Sequence, residues 1–425
     1  LYVSYRVKLA NQLTDELSNN GISNVVHYKD CPKNTSYEFY RLGKSLDKGG
    51  VFVCQLDSLP SKGHLSTWDV IVIDEVQALS AQFSSSTMHR NQSTAKNVEA
   101  WETLQGFCDE AKLVVCMDAD FNKWRQITGD RAKKFVSAMR GKYTHIVHTK
   151  PPRAMHIVNC ETLNNLYHAL RAALLEGQKV AFVSTTKGMI SGIVRKLGED
   201  ETFAESFEKK FERTPELLQV HSGQIIKSDI NEACACVDGL FMSSGSIGSG
   251  VSIELSKMRE HAANARPFDV LFAYGGVSQD VCGVRDWYQS WFRVRHYTTN
   301  CCYFLVDYIG GKKSDNLAVP SSMFGERVEQ LKRHIQMVAA RQLNEETAMR
   351  RMGYARPDEN LSEWIERIER ITADVLPPKD FQENWKLNKM EKVLGTKFFE
   401  LAFLKRAVED GHQLRNFEYE KALEP

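Results

Sequence analysis

Trp68-Asp69-Val70-Ile71-Val72-Ile73-Asp74-Glu75-Val76-Gln77 is the stretch on which the fold turns. An apolar, β-branched run of this kind reads as a strand buried on both faces, the environment of a parallel sheet. Two carboxylates, Asp74 and Glu75, close it. Open α/β sheets bind their ligands at the C-terminal ends of the strands. A strand ending in Asp-Glu suits nucleotide hydrolysis, because one carboxylate can hold Mg²⁺ while its neighbour orients or deprotonates the attacking water. An ordinary strand running into a helix N-terminus, where acidic residues are also favoured, fits the same letters.

Outward from this strand, the first half of the chain alternates strand and helix patterns. Leu1–Ser4, Val51–Gln55, Val70–Ile73 and Lys112–Met117 read as strands, with helical periodicity over Val7–Ser18 and Ala95–Glu110. Such alternation argues for a parallel sheet covered on both sides. Thr149-Lys150-Pro151-Pro152-Arg153 is the best linker, since Pro-Pro breaks regular structure. A second α/β set follows. Lys179–Ser184, Leu217–His221, Gly239–Ser243, Val270–Tyr274 and Cys302–Val306 read as strands, and Leu163–Glu176 and Met189–Leu197 as helices. Beyond about Gly310 the pattern is helical with no clear strand, over Glu326–Leu343, Leu361–Thr372 and Asn388–Asp410. The expected domains are therefore residues 1–150, 151–310 and 311–425: two α/β lobes and a helical C-terminal region.

The chain has 425 residues, enough for more than one core, and a formal net charge of +1. No global basic field advertises nucleic acid, so any such site must be local. Its ten cysteines form no CxxC pair, and no HExxH occurs, which leaves zinc little support. They read as reduced thiols of an intracellular protein. No apolar run approaches the roughly 20 residues of a membrane span, so no membrane partner is expected.

Two lobes with an Asp-Glu strand end in the first suggest a nucleotide-driven machine that brings cations from the second lobe to the transferred phosphate. Asp286-Trp287-Tyr288-Gln289-Ser290-Trp291-Phe292-Arg293-Val294-Arg295-His296 offers them, a glutamine and two arginines just before a final strand. Guanidinium is always charged and grips phosphate oxygens with paired donors. An amphipathic helix with a solvated arginine face is the plain alternative. Trp287, Tyr288, Trp291 and Tyr297 could stack bases or fill a core, and His221 could meet DNA or sit satisfied inside.

The order of these segments resembles superfamily 2 helicases, and more closely the origin-of-replication-binding helicases of the herpesvirus type. Val3-Ser4-Tyr5-Arg6-Val7-Lys8-Leu9-Ala10 looks like motif Ia, and Val53-Cys54-Gln55-Leu56-Asp57-Ser58-Leu59 like the family's CQLDSL segment. Ile73–Gln77 looks like motif II, Gln82–Met88 like its QFSSxTM segment, and Met117–Asp120 stands in the place of motif III. Val183–Lys187 looks like motif IV, Ser243–Ile253 like motif V and Gln289–Arg295 like motif VI. The resemblance covers roughly residues 1–307. Three departures stand out. Phe292 replaces a usual glycine, Gln77 follows Asp-Glu-Val, and no GxxxxGK[ST] of motif I occurs. Gly43-Lys44-Ser45 is a decoy, because Glu38 stands where the loop's first glycine is required. Motif I precedes motif Ia in these helicases, so the expectation is a piece of a longer chain.

The resemblance implies two RecA-like lobes that bind ATP·Mg²⁺ and run along single-stranded or forked DNA in replication. Asp74 would hold Mg²⁺ and Glu75 would activate water. Gln289, Arg293 and Arg295 would reach the γ-phosphate, with Asp118, Gly250 and Ser252 also toward the nucleotide. Ser4, Tyr5, Arg6, Gln55, Ser58, Ser86, Thr87, Ser184, Thr185 and Ser249 would touch DNA. Other replication proteins are conceivable partners, and the implied location is the cytoplasm or nucleoid, or a host-cell replication compartment. Two readings compete with a DNA motor: a helicase-like nucleic-acid-binding module without ATPase activity, and an RNA helicase.

Overall fold

The structure is a computed structural model that describes residues 1–4, 7–30, 49–60, 68–83, 95–118, 121, 130–144, 146, 154–221, 229–243, 252–277, 283–308 and 378–416. They fall into two units, one drawing on Leu1–Val147 and Pro320–Lys392, the other on His148–Val319 and Val393–Pro425.

In the first unit the described elements run β1 (Tyr2–Ser4), α1 (Val7–Asn19), β2 (Val25–His27), β3 (Val51–Gln55), a 3₁₀ turn at Leu56–Ser58, β4 (Val70–Asp74), α2 (Val76–Gln82), α3 (Ala95–Glu110), β5 (Leu113–Met117) and α4 (Arg131–Arg140). The sheet order is β2-β3-β1-β4-β5, and every pairing is parallel. Val3, Phe52, Val53, Cys54, Ile71 and Ile73 are buried, which is what the β-branched runs anticipate. Helix α3 buries Val98, Trp101, Leu104 and Cys108, one stripe at helical spacing. β4 lies between β1, which ends at Ser4, and β5, which leads to Asp118, and β1 is the central strand. Among the described residues no strand pairs with the outer edge of β5, where Leu113 is 53% and Met117 40% exposed. A cavity of about 590 Å³ runs along it, lined in part by Asp118, Phe121, Val136 and Arg140.

The second unit holds β6 (His156–Asn159), α5 (Leu163–Leu175), β7 (Val180–Ser184), α6 (Lys187–Glu199), α7 (Glu201–Phe211), β8 (Leu217–Val220), α8 (Ile230–Cys234), β9 (Gly239–Ser243), α9 (Leu255–His261), β10 (Val270–Val277), α10 (Val284–Trp291) and β11 (Cys301–Tyr308). Its sheet is again all parallel, in the order β12-β6-β11-β10-β7-β9-β8, where β12 is the strand Gln413–Asn416. Every residue of β7, β9 and β10 is buried, the burial that continuous apolar runs imply. Side chains cap the helix starts. Thr162 accepts from the Asn165 amide, Thr186 from Met189 and Asp200 from Phe203. Buried Lys179 donates to the carbonyls of Cys234 (2.6 Å) and Ala235 (3.2 Å) at the end of α8. Burial pulls its ammonium down to about 8.

Two helices follow, α11 (Lys379–Lys397) and α12 (Phe399–Glu409), then the strand β12 (Gln413–Asn416). The sequence reading is corrected here. The single helix expected over Asn388–Asp410 is broken at Phe398, whose φ of −118° and ψ of 28° are not helical. The region expected to lack strands also supplies one, which pairs in parallel with β6 from Gln413↔His156 to Asn416↔Asn159. Four residues with little alternation carry no strand signal of their own. An edge supplied by a distant segment makes them one. Helix α11 lends Phe381 and Trp385 to the first unit's core, while α12 packs on α10 through Phe399 and Phe403. The segments Glu326–Leu343, Leu361–Thr372, Gly43–Ser45 and the Thr149–Arg153 linker lie outside the described residues.

Candidate functional site

Strand β4 delivers Asp74 to the C-terminal end of the first sheet, and the chain turns sharply there. Glu75 sits in the left-handed region, with φ of 53° and ψ of 57°, as the N-cap of α2. A side-chain-bearing residue pays about 1–2 kcal/mol for that conformation, and such strain concentrates at functional sites. Both Asp74 oxygens are engaged. Oδ1 accepts the Glu75 amide at 2.9 Å, and Oδ2 accepts the Tyr2 hydroxyl at 2.7 Å. Burial, and then Asp74 beside it, pushes the Tyr2 phenol far above its ordinary range.

The start of α2 has orphan amides like any helix. Asp118, from the end of β5, accepts one of them, from Gln77, at 2.7 Å. Carbonyls in both turns of this short helix are gripped as well. Buried Arg131 donates to Gln77 O at 2.9 Å and pairs with Glu391. Asn384 and Asn388 of α11 both donate to Ser80 O, at 2.9 and 2.8 Å. Asp74, Glu75 and Asp118 thus form one acidic corner around a helix pinned at both ends. The sequence reading missed Tyr2, Arg131, Asn384 and Asn388. Only Tyr2 left a trace, as a polar-tipped residue two strand positions short of Asp74's level.

A divalent cation fits the donors present. A carboxylate offers about four lone-pair sites, and two on Asp74 are taken. Among the described residues no cluster of three or more His, Cys, Asp or Glu could hold a metal ion. Mg²⁺ takes one or two carboxylates and completes its shell with water and phosphate, so the lone-pair sites that Asp74 leaves open are enough for it.

The second unit gathers another group. Helix α10 carries half-buried Gln289, and its end leads into Arg293. The Ile253 amide donates to Arg293 O at 2.8 Å, the Arg295 amide to Ile253 O at 3.0 Å, and Arg295 Nε to Ser252 Oγ at 2.8 Å. The motif V and motif VI segments are therefore joined by a parallel bridge, Ile253↔Val294. Phe292 has φ of −95° and ψ of 9°, a backbone open to any residue, so this path does not require the usual glycine. Trp287, Tyr288, Trp291 and Tyr297 are core residues, as is His221. Trp287, Tyr288 and Trp291 cluster with Phe399 and Phe403, and the Tyr297 hydroxyl donates to Trp291 O at 3.2 Å.

The other expected contacts are placed as follows. Ser4 is fully buried at the end of β1. Gln55 accepts from Tyr28 OH at 2.9 Å, and Ser58 lies in the 3₁₀ turn beyond it. Ser184 Oγ donates to Thr186 O at 2.9 Å, and Thr185 Oγ1 to Gly276 O at 2.8 Å. Tyr5, Arg6, Ser86, Thr87, Ser249 and Gly250 lie outside the described residues.

Comparison with solved structures finds helicases. The DUF1998 helicase MrfA bound to DNA aligns with a TM-score of 0.44 and 12% identity, over 77% of this chain and 44% of MrfA, so the chain spans less than half of that protein. Dbp5 of S. cerevisiae bound to RNA and ADP BeF3 aligns at 0.44 and 11% identity, over 74% of this chain and 72% of Dbp5. The DEAD-box helicase Mss116 bound to ssRNA and UDP-BeF aligns at 0.42 and 10%, over 97% and 82%. No curated protein sequence matches. A family match does, described as "Origin of replication binding protein" and extending over residues 1–215, just over half of the chain. With that match over half of its length, the chain belongs to the origin of replication binding protein family.

Proposed function

We propose that this chain is the motor core of an ATP-dependent DNA helicase or translocase that works in replication. The observation that carries the reading is the acidic corner: Asp74 and the strained Glu75 at the C-terminal end of a parallel sheet, braced by Asp118. Asp74 would hold Mg²⁺, which would supply charge neutralisation at the triphosphate when bound. Glu75 orients and deprotonates the attacking water. Gln289, Arg293 and Arg295 bind the γ-phosphate, the arginines stabilising charge as the bond to the leaving group breaks. ATP binding and hydrolysis would then drive movement along single-stranded or forked DNA.

The phosphate-cradling loop is the part this sequence does not supply, since no GxxxxGK[ST] occurs in it. That fact favours a second reading, a helicase-like module that holds nucleic acid without hydrolysis. The decisive experiment compares ATP turnover by residues 1–425 with turnover by a version extended upstream through a GxxxxGK[ST]. The first should be near background. The second should show DNA-stimulated turnover that Arg293→Ala lowers about a thousandfold or more while DNA binding largely survives. An extended chain that binds DNA and still fails to hydrolyse ATP would establish the binding-module reading.

A further inference from the structure

Tyr2 lies on β1 opposite Val72 of β4. Side chains two apart on a strand share a face, so Tyr2, Val72 and Asp74 point the same way. Two residues of strand advance about 6.6 Å, a span that a tyrosine side chain covers. The phenol therefore lies along the sheet and ends on Asp74 Oδ2 at 2.7 Å. The packing role of this position needs only an apolar body, which Phe would provide. A half-buried hydroxyl costs free energy unless bonded, and here the bond goes to a carboxylate from a different strand. With the Glu75 amide on Oδ1 at 2.9 Å, the second hydrogen bond fixes both side-chain torsions of Asp74.

We propose that Tyr2 is a positioning residue for Asp74, its hydroxyl holding the carboxylate in the orientation that receives a divalent cation. The inference rests on the reading of Asp74 as the cation ligand. Hydrogen bonds behind metal-ligating carboxylates typically change metal affinity 10- to 100-fold when removed.

Mn²⁺ alone, a paramagnetic stand-in for Mg²⁺, tests it. Its binding to the chain of residues 1–425 is followed by electron paramagnetic resonance for the wild type, Asp74→Asn and Tyr2→Phe, with a thermal melt of each metal-free protein. The expected result is loss of the site in Asp74→Asn and at least tenfold weaker Mn²⁺ binding in Tyr2→Phe. A merely structural tyrosine would lower the melting temperature of Tyr2→Phe and leave Mn²⁺ affinity within twofold of wild type. That outcome overturns the inference and spares Asp74. Absence of an Asp74-dependent Mn²⁺ site removes the reading beneath it, and the role of Tyr2 falls too.

Discussion

Glu75 combines a catalytic assignment with a backbone cost, and the two can be separated by substitution. Glycine and alanine both delete the carboxylate, but only glycine tolerates a φ of 53° without strain. Glu75→Gly should therefore unfold at higher urea than Glu75→Ala, by about 1 kcal/mol in stability. Equal stabilities would mean that the turn relaxes and stores nothing. At this scale the sequence was partly legible. The strand that carries Asp74 was readable because a β-branched run suits a strand buried on both faces, while the roles proposed for Asp74 and Glu75 rest on the motif. The left-handed turn was not, because nothing in Asp-Glu-Val marks φ. Nor was the Tyr2 bond, which depends on strand register. The Phe292 departure looked serious in the letters and is harmless in the backbone.

Among the elements, α10 shows how a distant segment can hold a helix in place. Tyr288 OH donates to Asp410 Oδ2 at 2.8 Å and lies 2.8 Å from His412 Nε2, while the Met155 amide donates to His412 Nδ1 at 3.0 Å. Arg406 Nε holds the same Asp410 at 2.9 Å. With Nδ1 accepting, the ring is neutral and its proton sits on Nε2. Burial lowers the His412 value from the usual 6.5, against the pull of Asp410, which raises it, and with the help of Arg406. The folded value thus lies below the unfolded one. Its contribution is fully present above about pH 6.5 and is lost as pH falls, because the unfolded chain takes up a proton that the folded one resists. Melting temperatures measured from pH 8 to 5 should fall more steeply for wild type than for His412→Gln. Parallel curves would contradict the network. Buried His27 shifts in the same direction, so the difference between the two proteins is the informative quantity. Strands buried on both faces and periodic helices were legible in the sequence with bounds within a few residues. β12 was not, since its pairing is decided by β6, more than two hundred residues earlier.

For the whole molecule, the net charge of +1 sets the expectation for nucleic acid. Without a global positive field, binding should come from a few phosphate contacts. The logarithm of single-strand affinity should then fall against the logarithm of salt by roughly 0.7 per contact. Fluorescence anisotropy with a labelled oligonucleotide measures the slope, and affinity indifferent to salt would rule such a groove out. The division into units carries a further consequence, one of time. The core built on β1–β5 is completed by Phe381 and Trp385, which lie more than two hundred residues after Val147. A ribosome adding about 5–20 residues per second takes on the order of ten to fifty seconds to reach them. Throughout that interval the apolar surface around Trp101 and Phe135 waits uncovered beside a growing chain. The sequence therefore asks its cell for shelter during synthesis: the core of this sheet is finished by a helix made more than two hundred residues later.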